Sequence, residues 1–136
     1  MGFHGAKGAV LIGARLVALL RDDRPGLPHA GLWDLPGGGR EGAEAPRATM
    51  ARETREELGL DLAAADWIWE RAFPSMADPS RTAWFFVLRL PAGAERGIAL
   101  GAEGQGWALV APARFAAMPG AVPSLQARLG AWLSGL

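Results

Sequence analysis

The sequence predicts an α/β domain in which a mixed β-sheet lies between helices. Three observations support this class. Short apolar runs bounded by glycine and proline are typical of strands, and their continuous apolar character indicates a sheet covered on both faces. A central segment that starts with proline and ends with glycine is typical of a helix, and a second amphipathic segment follows near the end. The length of 136 residues fits one domain, residues 1–136.

The first two strands are predicted to form a hairpin. The apolar runs at residues 8–12 and 16–20 flank Gly13 and Ala14, which suit a turn. Arg21 ends the second run, and proline and glycine residues then interrupt a loop over residues 22–31. Residues 31–36 then lead into the glycine-rich turn of residues 37–39, in which backbone can approach closely because side chains are missing.

Residues 46–58 are predicted to form the helix around which the rest of the chain is organised. Pro46 suits the first helical turn because its missing N–H costs nothing there, and Gly59 suits the position just past the end. A buried stripe lies on one face of this helix because its members fall within one sector at helical spacing. Its members are Met50, Ala51, Thr54 and Leu58.

Three glutamates, Glu53, Glu56 and Glu57, lie on a flank of that stripe because residues three and four apart are neighbours on a helix. Carboxylates this close repel one another unless a positive charge lies among them. Oxygen ligands of this kind suit a hard divalent cation, Mg²⁺ or Mn²⁺. The alternative is a solvated face on which Arg52 and Arg55 pair with the glutamates and no metal is needed.

The second half of the chain is predicted to add strands and two helical segments. One strand begins at residues 67–69, a turn-rich loop covers residues 73–80, and a strongly β-prone strand covers residues 82–90. Alternation along that strand places Trp84 and Phe86 on one face and Phe85 and Val87 on the other. A further strand at residues 107–110 precedes a helical turn at 112–118 and a terminal helix at 123–136.

Composition excludes several classes of function. The formal charges cancel and no basic stripe is visible, so nothing in the sequence suggests a surface that binds nucleic acid polymers. There is no cysteine, which excludes disulfides and thiolate metal sites. No apolar run is long enough to cross a membrane and no signal peptide is recognisable, so we expect a soluble, cytoplasmic protein.

The spacing around the central helix resembles the signature of the Nudix hydrolases. Gly38 is followed after five residues by Glu44 and after seven more by the run RETREELGL at 52–60, and the preceding WDLPGG at 33–38 also resembles Nudix sequences. Only Thr54 departs from the pattern, since the family usually has a bulkier apolar residue there. A motif with so many specified positions at fixed spacing is far more specific than a lone glycine motif.

The resemblance implies a Nudix-type α/β/α sandwich and a metal-dependent hydrolase. Such enzymes cleave a nucleoside diphosphate linked to another group, with Mg²⁺ or Mn²⁺ held by glutamates that correspond to Glu53, Glu56 and Glu57. A pyrophosphate could not lie beside these carboxylates without metal between them. In the family the carbonyl at the position of Gly37 is often a further metal ligand.

Five other residues receive roles from the resemblance. Gly38 belongs to the metal loop, Arg52 orients the neighbouring glutamates, and Glu44 supports the turn with a weaker claim to metal. A basic residue at the position of Arg21 often faces the substrate phosphates; the alternative is a surface arginine. Glu103, in a glycine-flanked loop that resembles MutT-type enzymes, is a metal ligand or the base that activates water, or else a turn residue. The general base remains open between Glu53, Glu56 and Glu103.

The substrate implied first is a (d)NTP or an oxidised (d)NTP, followed by ADP-ribose, dinucleoside polyphosphates and nucleotide sugars. The competing class is a Nudix domain that senses a nucleotide without turnover. Trp84 and Phe86 are candidates to line a base pocket, since aromatic rings stack on nucleobases, or else they pack in the core; Arg81 is a candidate for a phosphate or base contact. The chain has no asparagine to read an oxidised guanine, so specificity for 8-oxo-dGTP is not expected. Either a monomer or a homodimer is compatible with the sequence.

Overall fold

A mixed sheet forms the centre of the structure, a computed structural model that describes residues 2–136. Seven strands lie within this range: β1 (Phe3–Ile12), β2 (Arg15–Leu20), β3 (Trp33–Asp34), β4 (Gly37–Gly39), β5 (Asp66–Pro74), β6 (Thr82–Leu90) and β7 (Gly106–Val110). The helices are α1 (Pro46–Leu58), α2 (Pro112–Ala117) and α3 (Pro123–Leu133), with one 3-10 turn at Ala94–Gly97.

Five of the strands lie side by side in the order β3-β2-β1-β6-β5. β1 runs parallel to β6, with Ile12 beside Leu90, and antiparallel to β2, with Leu11 beside Leu16. β4 pairs antiparallel with the first half of β1, and β7 pairs antiparallel with β2. The predicted hairpin and the predicted mixed sheet are therefore both confirmed.

Side chains alternate between the two faces of the sheet and divide the core into two layers. Ala9, Leu11 and Phe85 pack on one face against Leu125 and Leu129 of α3. The opposite face packs against α1 and contains the next residues along the same strands, among them Val10, Phe86 and Leu88. This is the predicted sandwich of helices on both faces of one sheet. Within residues 2–136, no helix combines the length and the apolar character that crossing a membrane would require.

The helix α1 has the predicted ends. It begins at Pro46, and Gly59 follows it in the left-handed region with φ 69°, donating its N–H to the Arg55 carbonyl at 2.9 Å. Thr54, the residue that departs from the family pattern, is fully buried. Its hydroxyl donates a 2.7 Å hydrogen bond to the Met50 carbonyl, which satisfies the polar group inside the apolar stripe.

Several boundaries differ from the prediction, and the first is β1, which begins at Phe3 and not at Gly8. The glycines 37–39 form strand β4 rather than a turn, because Gly37 pairs with Lys7 of the distant strand β1. β5 continues through Phe73 to Pro74, which were expected in a loop, because Pro74 is the last residue of an edge strand and pairs beside Thr82. α3 ends at Leu133, so the last three residues are not helical.

Candidate active site

The short strand β4 lies so close to β1 that only glycine fits its first position. Gly37 is buried at φ 130°, and a Cβ there would collide with the Ala6 carbonyl oxygen and lie 2.6 Å from the Lys7 Cα. A Cβ on Gly38 would lie 2.6 Å from the carboxyl carbon of Glu53. The glycine strand therefore lets a helix carboxylate rest directly on backbone.

Two glutamates one helical turn apart, Glu53 and Glu57, extend from α1 to this strand. Glu57 Oε1 accepts a 2.9 Å hydrogen bond from the Gly37 N–H, while Glu53 lies against Gly38. Glu56 is more open to solvent, with 56% of its side chain exposed. The structure thus brings Gly37, Gly38, Glu53 and Glu57 together and leaves Glu56 at the rim.

Arg52 connects the remaining acidic groups. Its Nε donates to Glu44 at 2.7 Å and its Nη2 to the Gly39 carbonyl at 2.7 Å, while Nη1 lies 3.2 Å from Glu53 and 3.1 Å from Glu56. These contacts suit both alternatives predicted above, an arginine that orients the glutamates and an arginine that pairs with them without a metal. With Glu41 at 3.4 Å as well, the guanidinium contacts the glycine strand and four carboxylates.

Glu44 fastens this arginine to the turn before α1. Its carboxylate accepts hydrogen bonds from the Glu41 N–H at 2.9 Å and the Thr49 hydroxyl at 2.9 Å, besides the two from Arg52. The Arg52 hydrogen bond, followed by that of the Glu41 N–H, lowers the pKa of Glu44 to about 2. Glu44 is therefore an ionised support for Arg52, as its expected turn role requires.

The pKa values of the helix glutamates beside β4 shift in the opposite direction. Burial, with help from the nearby Glu53 and Asp34 carboxylates, raises the pKa of Glu57 to about 7, although Lys7 and the Gly37 N–H oppose the shift. Burial also raises the pKa of Glu53. Raised values mean that these carboxylates lack enough positive charge around them, which a bound cation would supply.

An ion-pair cluster that sequence reasoning missed lies next to Glu57. Lys7 Nζ and Arg21 Nη1 each lie 3.0 Å from the same oxygen of Asp34. Burial acts to raise the pKa of Asp34, but Lys7, the Leu35 N–H and Arg21 together lower it, so the carboxylate is ionised between two cations. One signal was available: Lys7 is the only lysine of the chain and directly precedes the apolar run at residues 8–12.

Two cavities open beside this cluster. The smaller, about 70 Å³, is lined by Arg21, Asp34, Glu57 and Glu103, together with residues of the loop after β2. The larger, about 250 Å³, extends from Arg21, Lys7 and β4 to α3. Arg21 and Asp34 line both cavities, so the structure places the predicted Arg21 at the centre of the site.

The loop of Glu103 is held against the end of β2. The Gln105 N–H donates to the Leu20 carbonyl at 2.8 Å, and the Gln105 side chain donates to the Arg21 carbonyl at 2.8 Å. The Gly104 N–H donates to Asp22 at 3.2 Å. These bonds bring an exposed glutamate that is 46 positions from Glu57 in sequence to the same small cavity.

A divalent cation is the group that this donor set suits. All the side chains that could bind a metal here present carboxylate oxygens, the ligands of hard cations. Burial raises the pKa of Glu57 and of Glu53, so the nearby positive charges do not fully compensate these two carboxylates. Among residues 2–136, no three acidic or histidine side chains lie close enough together to bind a metal ion as they stand. Arg52 holds Glu53 and Glu56 in this arrangement and supplies the positive charge between them. The residues therefore suit a divalent cation, because they offer oxygen ligands and lie close to one another.

Of the two alternatives for the aromatic residues of β6, a base pocket or the core, their packing in the structure matches the core. Phe86 is 1% exposed and packs with half-buried Trp84 in the core beneath α1, their rings stacked with centroids 6.1 Å apart. Alternation along β6 puts Ala83, not these two residues, on the face where the larger cavity lies. Arg81 also lines neither cavity, and its guanidinium donates to the Phe3 carbonyl at 3.0 Å.

Sequence comparison gives one family for nearly the whole chain. A family model described as the NUDIX domain matches residues 2–133. A Mycobacterium tuberculosis protein named "Putative 8-oxo-dGTP diphosphatase 2" is 45% identical over 56 residues, 41% of this chain and 38% of that protein. An RNA pyrophosphohydrolase of Gluconacetobacter diazotrophicus is 37% identical over 71 residues, 46% of this chain and 39% of that protein. This chain thus matches less than two fifths of each relative's length.

The same fold occurs among solved structures. A MutT protein from Methanosarcina mazei superposes with a TM-score of 0.75, covering 98% of this chain and 95% of that one, at 18% sequence identity. Identity this low supports the fold alone. Together with the family match over residues 2–133, it confirms the resemblance inferred from the glutamate helix: this chain belongs to the Nudix hydrolase family.

Proposed function

We propose that this chain is a metal-dependent hydrolase that cleaves a pyrophosphate bond in a nucleoside diphosphate linked to another group. The observation that carries the proposal is the packing of Glu53 and Glu57 against β4, next to the cations Lys7 and Arg21. The raised pKa values of Glu53 and Glu57 indicate carboxylates that a divalent cation would stabilise. Lys7 and Arg21 beside them suit a substrate with several negative charges, which would bind together with that cation.

The residues that would hold Mg²⁺ or Mn²⁺ are Glu53, Glu56 and Glu57, with the carbonyl of Gly37, and Glu103 is either a further ligand or the base that activates water. When bound, such a cation neutralises phosphate charge and lowers the pKa of a coordinated water. Arg52 keeps Glu53 and Glu56 oriented through its contacts of 3.2 and 3.1 Å.

Lys7 and Arg21 are the phosphate-binding cations of this proposal. Both line the larger cavity, and their shared partner Asp34 fixes the two charged groups side by side. Charge-assisted hydrogen bonds to phosphate oxygens are roughly twice as strong as neutral ones, and both cations keep donors beyond those used on Asp34. They would draw charge from the phosphate group as the bridging oxygen leaves.

A general base among Glu53, Glu56 and Glu103 would take the proton of the attacking water. Glu103 combines exposure with a position at the same small cavity as Glu57, so it can reach solvent and the site. Glu53 and Glu56 each already accept a contact from Arg52 Nη1, at 3.2 and 3.1 Å, so both carboxylates are engaged in holding the arginine. We therefore place Glu103 first for this role.

A (d)NTP or modified (d)NTP is the proposed substrate, with ADP-ribose, dinucleoside polyphosphates and nucleotide sugars as alternatives. The intact set of helix glutamates favours turnover over a domain that only senses nucleotides. The absence of asparagine from the chain argues against a strong preference for 8-oxo-dGTP. The cancelled formal charges favour a small nucleotide over a nucleic acid polymer, and we propose action in the cytoplasm as a monomer or homodimer.

A substrate panel tests this proposal. Release of phosphate or pyrophosphate is measured with Mg²⁺, with Mn²⁺ and with EDTA for dNTPs, 8-oxo-dGTP, ADP-ribose, a dinucleoside polyphosphate, a nucleotide sugar and a 5′-triphosphorylated RNA. We expect turnover of at least one small nucleotide that EDTA abolishes and Glu57→Gln strongly reduces. Turnover that persists in EDTA, or none with any substrate, would refute the proposal. A preference for the RNA would redirect it to the activity named for the Gluconacetobacter relative.

A further inference from the structure

A buried arginine lines the larger cavity far from the glutamates. Arg128 of α3 is 7% exposed, its Nη2 donates to the Pro74 carbonyl at 3.0 Å, and its guanidinium carbon lies 5.4 Å from the centre of the Phe73 ring. Among residues 2–136, no carboxylate lies within ion-pairing distance of it. One carbonyl thus occupies one of the five N–H donors that a guanidinium carries.

Such an arrangement is costly unless the remaining donors find partners. A buried charge without a counter-charge loses its hydration, and an arginine does not relieve that loss by releasing its proton. No guanidinium nitrogen of Arg128 belongs to the fully buried, unpaired polar atoms of the described residues. The unused N–H groups therefore open onto the cavity that the side chain lines.

The rest of the cavity near α3 offers no acceptor side chain of high affinity. The one carboxylate among the described lining residues is Asp34, already shared by Lys7 and Arg21, and no asparagine or glutamine lines the cavity. Ser75 is hydrogen-bonded to His4 at 2.9 Å. Ser124 and His29 also line the cavity, and its apolar wall includes Ala83, Val122 and Leu125. This surface suits a flat, weakly polar ring with acceptors on the edge that meets the guanidinium.

The sheet sets the distance between the two ends of the cavity. β4 pairs with β1, β1 with β6 and β6 with β5, whose last residue is the Pro74 that binds Arg128. Three strand spacings of about 4.8 Å separate the glycine strand from this point by about 14 Å. A nucleoside with its phosphates at Lys7 and β4 spans such a distance, which brings the far edge of its base to Arg128.

We propose that Arg128 is a specificity-determining residue that binds the base of the nucleotide substrate and favours guanine over adenine. Guanine presents N7 and O6 as two adjacent acceptors, the pair that an arginine fork binds through two parallel hydrogen bonds. Adenine has an amino group in place of O6, so one N–H of the fork would face another donor. This inference rests on the proposed nucleotide hydrolase activity and specifies which nucleobase the substrate carries.

The test compares kcat/KM for dGTP and dATP in the wild type and in Arg128→Met, a variant that keeps the length of the side chain but removes its donors. A bidentate arginine contact supplies about 5- to 150-fold discrimination, so the wild type should prefer dGTP by that order and the variant should lose the preference. Arg71→Met is the matched control, because Arg71 lies 5.8 Å from the same Phe73 ring but does not line the cavity. The Arg71→Met variant should keep the wild-type ratio of kcat/KM for dGTP over dATP.

Calorimetric binding of dGMP and dAMP in Mg²⁺ separates this inference from the proposed activity. Selective dGMP binding without turnover of any nucleotide would refute the hydrolase and leave base recognition by Arg128 in place. A wild type that treats both bases equally, or an Arg128→Met ratio that equals the wild-type ratio, would overturn the inference while the hydrolase stands. If Arg128→Met does not fold, Arg128→Lys serves instead: it keeps the charge but not the fork, and should still reduce the ratio.

Discussion

Glu57 of the central helix accepts a 2.9 Å hydrogen bond from the backbone N–H of Gly37 in strand β4. This contact joins the two parts of the family motif, the glycines and the glutamates, which are 20 residues apart in sequence. It also holds a half-buried carboxylate beside Asp34 and Glu53, where charge alone would disfavour it. The site is therefore assembled at some cost to the metal-free fold, and several consequences can be measured.

Gly37→Ala should destabilise the protein by about 1–3 kcal/mol, the order of cost of an unfavourable backbone conformation. The reason is geometric: the φ of 130° suits glycine, and the added Cβ would meet the Ala6 carbonyl oxygen. Thermal and denaturant unfolding measure the loss. Gly39→Ala is the control for stability, since a Cβ on Gly39 meets nothing within 4 Å. Equal stability of the two variants would contradict the close packing of β4 on β1.

Glu57 should make the metal-free protein less stable as the pH rises. Its pKa is about 7 in the fold against an ordinary value of 4.5, so the fold favours the protonated form. Stability from this group is full below pH 4.5 and is lost as the pH rises through 7; the shift corresponds to about 3 kcal/mol. Unfolding in EDTA between pH 5 and 8 should show a steeper decline for the wild type than for Glu57→Gln. Parallel curves would disprove the raised pKa.

Mg²⁺ or Mn²⁺ should bind the isolated protein, and Glu56→Gln and Glu57→Gln should each weaken binding with the fold retained. Each substitution removes one carboxylate charge from an oxygen-only donor set, while the amide keeps nearly the same shape. Calorimetry gives the affinity and circular dichroism checks the fold. Glu70→Gln is a suitable control, because Glu70 is a surface carboxylate that pairs with Arg47 away from the cavities. Unchanged affinity in both test variants would remove these glutamates from the ligand set.

Much of the fold could be predicted because its signals are local. Strand β6 occupies residues 82–90 and α1 occupies residues 46–58 as the sequence predicts, since β-propensity, proline and glycine act within the segment itself. The glutamates and Arg52 also follow from helical spacing.

What escaped prediction depends on partners distant in sequence. Alternation separates Trp84 and Phe86 from their neighbours but does not say which face meets α1, so the sequence alone left a base pocket and the core open for them. Lys7 and Asp34 belong to a site only because β1 and β3 both adjoin β2. Arg128 looks like an ordinary polar residue of a terminal helix until the packing of α3 on β5 buries it.

Glu103→Gln should lower kcat by about 10²–10⁴-fold, the usual contribution of a general base, with little change in KM. The amide keeps the size and a hydrogen-bonding end of the side chain but loses its charge and basicity. The fold should persist, because Gly104 and Gln105, not the Glu103 carboxylate, fasten the loop to Asp22 and β2.

Comparison with Glu53→Gln separates the chemical step from the metal site. Glu53 rests on Gly38 and contacts Arg52, so its loss should disturb the metal ligands and cost at least as much in kcat as the loss of Glu103. A pH–rate profile adds a readout that loop anchoring would not affect: if Glu103 is the base, the acidic limb should disappear in Glu103→Gln and persist in Glu53→Gln. Near-normal kcat in Glu103→Gln would make it a loop residue and return the base to Glu53 or Glu56.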